Sequence, residues 1–155
     1  MDKLPEVETA KELMTEAMTW SVMRWLREKK RVRKTADQAN AALDQSSQAV
    51  RERWPEHIRA AYEALVAQAA AATTARRQQN APLPATDAEA TLIASKSKEI
   101  DDQAYRARMD AEDTFDEAER KLSTSLAREG CRKAIYSWDL HEKAIRKAEN
   151  LIRPK

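Results

Sequence analysis

The chain has 155 residues, a net charge of +2 and a single glycine, Gly130. Glycine supplies the positive-φ positions of hairpins and phosphate-binding loops, so this composition argues against a sheet protein and a glycine-rich nucleotide loop. Ala, Glu, Lys, Leu and Arg fill 84 positions, as in long helices and coiled coils. The 28 basic residues nearly balance the 26 acidic ones. The sequence therefore predicts an all-α fold with a thin, alanine-rich core.

Three features suggest where the protein resides. No run of apolar residues is long enough to span a membrane, and the first twelve residues are acidic and polar rather than a secretory signal. The single cysteine, Cys131, has no internal disulfide partner and fits a reducing compartment. We therefore expect a cytoplasmic protein.

The first half of the chain is predicted to be one helical arm over residues 6–79. Pro5 suits a first helical turn, and Pro55 is expected to kink or break the arm near 54–55. An apolar seam with steps of three and four residues runs along this arm, as in a left-handed coiled coil. Its members are Met18, Val22, Trp25, Lys29, Val32, Ala36, Ala39, Leu43, Ser46 and Val50.

The second half is predicted to form another arm, over 87–153, after a proline-containing loop at 80–86. Thr86 and Glu89 have the spacing of a capping box, which opens a helix. Gly130 lies inside the apolar stripe of this arm, and acid-before-base pairs four residues apart run across it. We therefore expect a kink or a close-packing point at Gly130 rather than a turn.

Two arrangements of these arms are open. The first is an antiparallel, coiled-coil-like hairpin of two long kinked arms, whose narrow core favours self-association. The alternative is a compact three- or four-helix bundle, which requires true turns near 34–37 or 54–55. In both cases residues 1–155 form a single helical domain.

The strongest local anomaly is the segment 13–34. Its apolar residues surround most of a helix, and its second half carries seven basic residues and one acidic residue between positions 24 and 34. The candidate apolar partner-binding residues are Met14, Met18, Trp20, Val22, Met23, Trp25 and Leu26. The candidate basic ones are Arg24, Arg27, Lys29, Lys30, Arg31, Arg33 and Lys34.

Three interpretations of this segment compete. It is a core or oligomer interface with a solvated basic face, an amphipathic helix on an anionic membrane surface, or a contact to a nucleic-acid backbone. We favour the first and consider nucleic acid the weaker partner, because a net charge of +2 is small for a dedicated nucleic-acid binder.

An acidic segment, 110–119, is opposite in charge to the basic stretch 24–34. A hairpin folded about residue 83 would place it near Arg51 and Arg53, and the basic stretch near Arg132 and Lys133. The basic stretch would then lack an acidic partner within the chain, which is an argument for an external one, unless a break at Pro55 folds the first arm back on itself. The acidic segment lacks the Glu-x-x-His and EF-hand patterns, so we interpret it as a solvated face.

Chemistry-bearing patterns are otherwise absent from the sequence. Cys131 and His141 are ten residues apart, or about 15 Å along one helix, so they cannot pair as nucleophile and base. We predict a non-enzymatic scaffold, assembly or adaptor protein with no catalytic residues, cofactor, metal or small-molecule substrate. Its expected partner is a second copy or another helical protein, with peripheral membrane or nucleic-acid binding through 13–34 as the alternative.

Overall fold

The computed structural model describes residues 3–74 and 88–151, without the side chains of residues 69–74. This part of the chain forms five α-helices and contains no strand, so the all-α prediction is confirmed. The helices are α1 (Pro5–Ala17), α2 (Val22–Glu52), α3 (Glu56–Thr74), α4 (Ala88–Lys121) and α5 (Thr124–Leu151). The predicted loop at 80–86 lies outside the described residues.

The predicted first arm is interrupted twice. The interruption at 53–55 lies where the sequence predicts a kink or break, and Trp54 there donates its indole N–H to the Ala148 carbonyl at 3.1 Å. The second, at 18–21, is one that the sequence analysis missed. Ser21 begins α2 there, because its side-chain oxygen accepts a hydrogen bond from the Arg24 N–H at 3.2 Å.

The prediction of one continuous second arm is wrong, because a turn at 122–123 separates α4 from α5. The Ser123 N–H bonds to the Ala118 carbonyl at 3.1 Å, which is the closing bond of a Schellman motif. Leu122 takes the left-handed position of that motif, with φ 50°, where glycine is usual. The Ser123 hydroxyl then accepts from the Leu126 N–H and opens α5.

Gly130 lies within α5 and neither ends nor interrupts this helix. It is fully enclosed against α4, where a Cβ atom added to it would lie 2.8 Å from Cδ1 of Phe115. The prediction that Gly130 is a close-packing point rather than a turn is confirmed, because the missing side chain allows α5 to approach Phe115 of α4.

The helices pack as a bundle around α5. The most extensive packing is between α4 and α5, while α2 and α1 also contact α5 and each other. α3 packs on α4. The largest fully buried apolar side chains are Trp138, Met14, Leu43, Ile145, Val7, Val32 and Val50.

Ion pairs show how α2 is aligned with α4. Arg51 meets Asp101 rather than the acidic segment, so the register expected from a hairpin folded about residue 83 is wrong. Arg33 and Arg108 complete an antiparallel series by pairing with Asp116 and Asp44, respectively. α2 is uninterrupted at 34–37, so the turn considered there for the compact bundle does not form.

Candidate functional site

The candidate apolar residues of segment 13–34 are mostly buried in the core of the bundle. Met14, Trp20 and Trp25 are buried, and Met18, Val22 and Leu26 are partly buried. The break at 18–21 explains this, because it folds α1 back on α2 and turns both apolar faces inward. Met23 alone among the seven is well exposed, at 66%. The interpretation of the segment as core therefore describes most of these residues.

The two tryptophans of this segment have unsatisfied donors. Trp25 stacks on Phe115 with ring centroids 6.4 Å apart, and Arg24 lies 4.7 Å over the Trp20 ring. Within residues 3–74 and 88–151 neither indole N–H has a hydrogen-bond partner, in contrast to that of Trp138, which bonds to Asn40 at 2.9 Å. An unsatisfied buried donor of this kind costs about 1–3 kcal/mol.

Three of the seven basic residues are paired within the chain. Arg24 bonds to Glu16 and Glu28, and Arg31 also bonds to Glu28. The hydrogen bond from Arg24, with the charge of Arg31, lowers the pKa of Glu28.

Arg33 crosses to α4 and meets Glu119 at 2.9 Å and Asp116 at 2.8 Å. The expectation that the basic stretch has no internal acidic partner is therefore wrong for Arg33. The expectation failed because it assumed the wrong register between the two arms.

The remaining cations form an exposed surface. Arg27, Lys30 and Lys34 are exposed, and no acidic partner for them exists among the residues that the structure describes. Spacings of three and four residues place all three on one side of α2, over about 10 Å of helix. We call these three residues the basic face. Lys29 is partly buried and lies toward the core side of the helix.

A second candidate site is a polar cleft where α2, α3, α4 and α5 meet. Asp101 accepts hydrogen bonds from the Tyr62 hydroxyl at 2.6 Å and from Arg51 at 3.0 Å. Arg108 bonds to both carboxylate oxygens of Asp44 at 3.2 Å. These residues line a cavity of about 220 Å³ together with His141. Ion pairs in the polar cleft join α2 to α4, the Tyr62 hydroxyl joins α3 to Asp101, and α5 contributes His141 to the lining.

Burial shifts the titration of the groups in the polar cleft. It raises the pKa of Asp101 above its ordinary value, although the Tyr62 hydrogen bond and the Arg51 charge act in the opposite direction. Burial and the neighbouring Asp101 charge raise the pKa of the Tyr62 hydroxyl. Burial lowers the pKa of His141 to about 4. The imidazole is therefore neutral at pH 7, and the cleft combines a neutral histidine with two ion pairs.

Sequence reasoning did not find the polar cleft. Its members are distributed over four helices, and none of its ion pairs has the i,i+4 spacing that a sequence pattern shows. Only the correct register of α2 against α4 brings them together, and no local signal in the chain encodes that register.

Other chemistry-bearing residues are placed apart. Cys131 is buried in α5, and burial raises the pKa of its thiol to about 12. His57 is exposed at the start of α3. Over residues 3–74 and 88–151, no three His, Cys, Asp or Glu side chains are grouped as a metal site would require. The helices found within those ranges are too polar or too short to cross a bilayer.

The chain was also compared with known proteins. No protein-family model matches it, and neither the curated proteins nor the solved structures include a significant match.

Proposed function

We propose that this chain is a non-enzymatic helical adaptor that docks an acidic helical segment of a partner protein on the basic face of α2. The observation that carries the proposal is the exposure of Arg27, Lys30 and Lys34 without acidic partners in the described chain. Other cations of the same segment, such as Arg24 and Arg33, are held in ion pairs.

The physical reasoning starts from helix geometry. An acidic partner helix with carboxylates spaced by three and four residues would match the spacing of the basic face. Each exposed ion pair contributes only about 0.2–1 kcal/mol. Three of them therefore give a weak, salt-sensitive contact that sets specificity and association rate more than affinity.

A second copy of the chain is the other helical partner to consider. Glu112 and Asp113 are exposed on α4 and could meet the basic face of another molecule. The apolar seams, however, are largely used inside the bundle, since Val32, Ala39 and Leu43 are buried within one chain. Self-association would then depend on charge rather than on a shared apolar seam.

The experiment measures binding of a fluorescently labelled, glutamate-rich helical peptide by anisotropy at low and physiological salt. The test variant is Lys30→Glu/Lys34→Glu. The matched control is Lys143→Glu/Lys147→Glu, which has the same i,i+4 spacing, exposure and charge change on α5. We expect the test variant to lose at least about tenfold in affinity at low salt and the control to lose less than about twofold.

Several outcomes would contradict the adaptor proposal. Equal losses in the two variants would mean that net charge, and not the basic face, determines binding. Tighter binding of duplex DNA than of the peptide, with the same dependence on Lys30 and Lys34, would replace the protein partner by a nucleic-acid backbone. Light scattering coupled to size-exclusion chromatography tests the second copy, since a monomer at high concentration would exclude it.

A further inference from the structure

One end of the bundle exposes large apolar side chains from two separate turns. The α1–α2 turn presents Met23, which is 66% exposed, and the α4–α5 turn presents Leu122, which is 60% exposed. Both turns lie at the same end, because α2 begins there and the antiparallel α4 ends there. We call Met23 and Leu122 the apolar tips. Neighbouring in the sequence are apolar residues that are partly buried: Met18, Val22, Leu26 and Leu126.

We propose that this end of the bundle docks on an anionic lipid bilayer, with the apolar tips entering the headgroup region. This surface adjoins the basic face and shares Arg27 with it, whereas Lys30 and Lys34 lie farther along α2 and belong to the basic face alone. The proposal goes beyond the adaptor function because it would place the adaptor at a membrane.

The backbone at Leu122 is the first observation that supports this proposal. A leucine with φ 50° occupies a position at which glycine or asparagine is usual. The same side chain is exposed rather than buried, so the strained conformation gains no core packing in this chain. The Schellman closure of α4 fixes this conformation and leaves the side chain mostly in solvent at the tip of the turn. A leucine held at the tip of a turn is suited to insertion between lipid headgroups.

The charge distribution is the second observation. Residues 16–31 and 117–129, which make up this end, contain eight basic and five acidic residues, a net charge of +3. The whole chain carries +2, so the remainder is slightly negative. Arg27 is exposed here, and no acidic partner for it exists among the described residues. The apolar tips would contact the acyl chains of a bilayer, and the cations beside them would contact its anionic headgroups.

The geometry favours lipid over a protein at this end. The apolar tips come from two different helix pairs, and each is a single exposed side chain rather than part of a continuous groove. A protein partner would need a specific pocket for each tip. A fluid bilayer accepts two separated apolar side chains without a matching shape, while its anionic lipids attract the cations around them.

The test is co-sedimentation of the full chain with vesicles of phosphatidylcholine alone or with 30% phosphatidylserine, in both cases at physiological salt. We expect binding to the anionic vesicles only. The variant Met23→Asp/Leu122→Asp should lower the partition coefficient by at least about tenfold. The control, Leu92→Asp, changes a leucine of α4 that is 55% exposed at the other end of that helix and should lower it by less than about twofold.

A second variant separates insertion from folding. Leu122→Gly relieves the left-handed backbone strain, so its thermal midpoint should stay equal or rise while vesicle binding falls severalfold. Retention of full binding by Leu122→Gly, or equal losses in the tip variant and Leu92→Asp, would overturn the proposal. So would absence of wild-type binding to the anionic vesicles. Peptide binding by the same tip variants reports separately on the adaptor function, because they leave Lys30 and Lys34 unchanged.

Discussion

The contact between Gly130 and Phe115 gives a prediction whose sign opposes the usual rule for helices. Replacement of a glycine by alanine inside a helix normally stabilises a protein by about 1 kcal/mol. Gly130 lies within α5, so helix propensity alone predicts that Gly130→Ala is stabilising. The structure predicts the reverse, because the added Cβ would lie 2.8 Å from Cδ1, 2.9 Å from Cε1 and 3.2 Å from Cγ of Phe115.

The magnitude follows from what the ring can do. Phe115 is buried and stacks against the buried Trp25, so it cannot turn aside without disturbing a second aromatic ring. Overpacking of a core by one methyl group costs about 1–3 kcal/mol. After the gain in helix propensity is subtracted, Gly130→Ala should destabilise the protein by about 1 kcal/mol.

Urea unfolding followed by far-UV circular dichroism measures the effect. With a slope of about 2 kcal/mol per molar urea, the midpoint should fall by about 0.5 M. In the Phe115→Leu background the contact is removed, and Gly130→Ala should then raise the midpoint. The double-mutant cycle should give a coupling energy of about 2 kcal/mol. An increase in midpoint in the wild-type background, or a coupling energy near zero, would refute the close-packing explanation.

Three further predictions concern buried groups. Burial lowers the pKa of His141 to about 4, below the ordinary value of 6.5, so the unfolded chain binds a proton that the folded chain does not between these values. Relative to His141→Gln, the wild-type free energy of unfolding should therefore fall by up to about 3 kcal/mol as the pH drops from about 6.5 to 4. If the free energies of unfolding of the two proteins depend on pH in the same way, the prediction is contradicted. The thiol of Cys131 is buried and its pKa is raised to about 12, so a disulfide reagent should modify it only as fast as the protein opens. A rapid stoichiometric reaction of the native protein at pH 8 would contradict this expectation. Trp54→Phe removes the indole donor of the Ala148 carbonyl and should lower the free energy of unfolding by about 1–3 kcal/mol. Trp25→Phe removes a donor that has no described partner and should therefore cost less in hydrogen bonding. A larger loss of stability in Trp25→Phe than in Trp54→Phe would argue against these assigned partners.

Periodicity in the sequence was enough to identify the buried face of α2. The seam predicted on the first arm includes Trp25, Val32, Ala39, Leu43 and Val50, and all five are buried on α2. The reason is physical, since a helix turns by a fixed angle per residue and so presents every third or fourth side chain to the same side. That rule needs no knowledge of the partner helix.

The positions of the turns and the register between helices could not be predicted from periodicity in this way. The breaks at 18–21 and 122–123 contain neither glycine nor proline, and their signals are single serines, Ser21 and Ser123, in otherwise helical sequence. The register of α2 against α4 is set at the interruption at 53–55, because Arg51 before it and Tyr62 after it both contact Asp101. A straight hairpin folded about residue 83 placed the acidic segment near Arg51, whereas the observed bundle places Asp116 beside Arg33. The polar cleft was missed for the same reason.

The single glycine shows why composition predicted the fold class but not the course of the chain. Scarcity of glycine predicts long uninterrupted helices, because turns commonly use it. In the structure the turn at 122–123 is closed by a leucine in the left-handed conformation, and Gly130 lies instead where α5 approaches Phe115 of α4 closely. A leucine can take that backbone conformation at a cost, but no side chain can occupy the space that Phe115 fills against Gly130. The position that tolerates no Cβ therefore carries the glycine, whereas the turn accepts a leucine because its side chain lies mostly in solvent there.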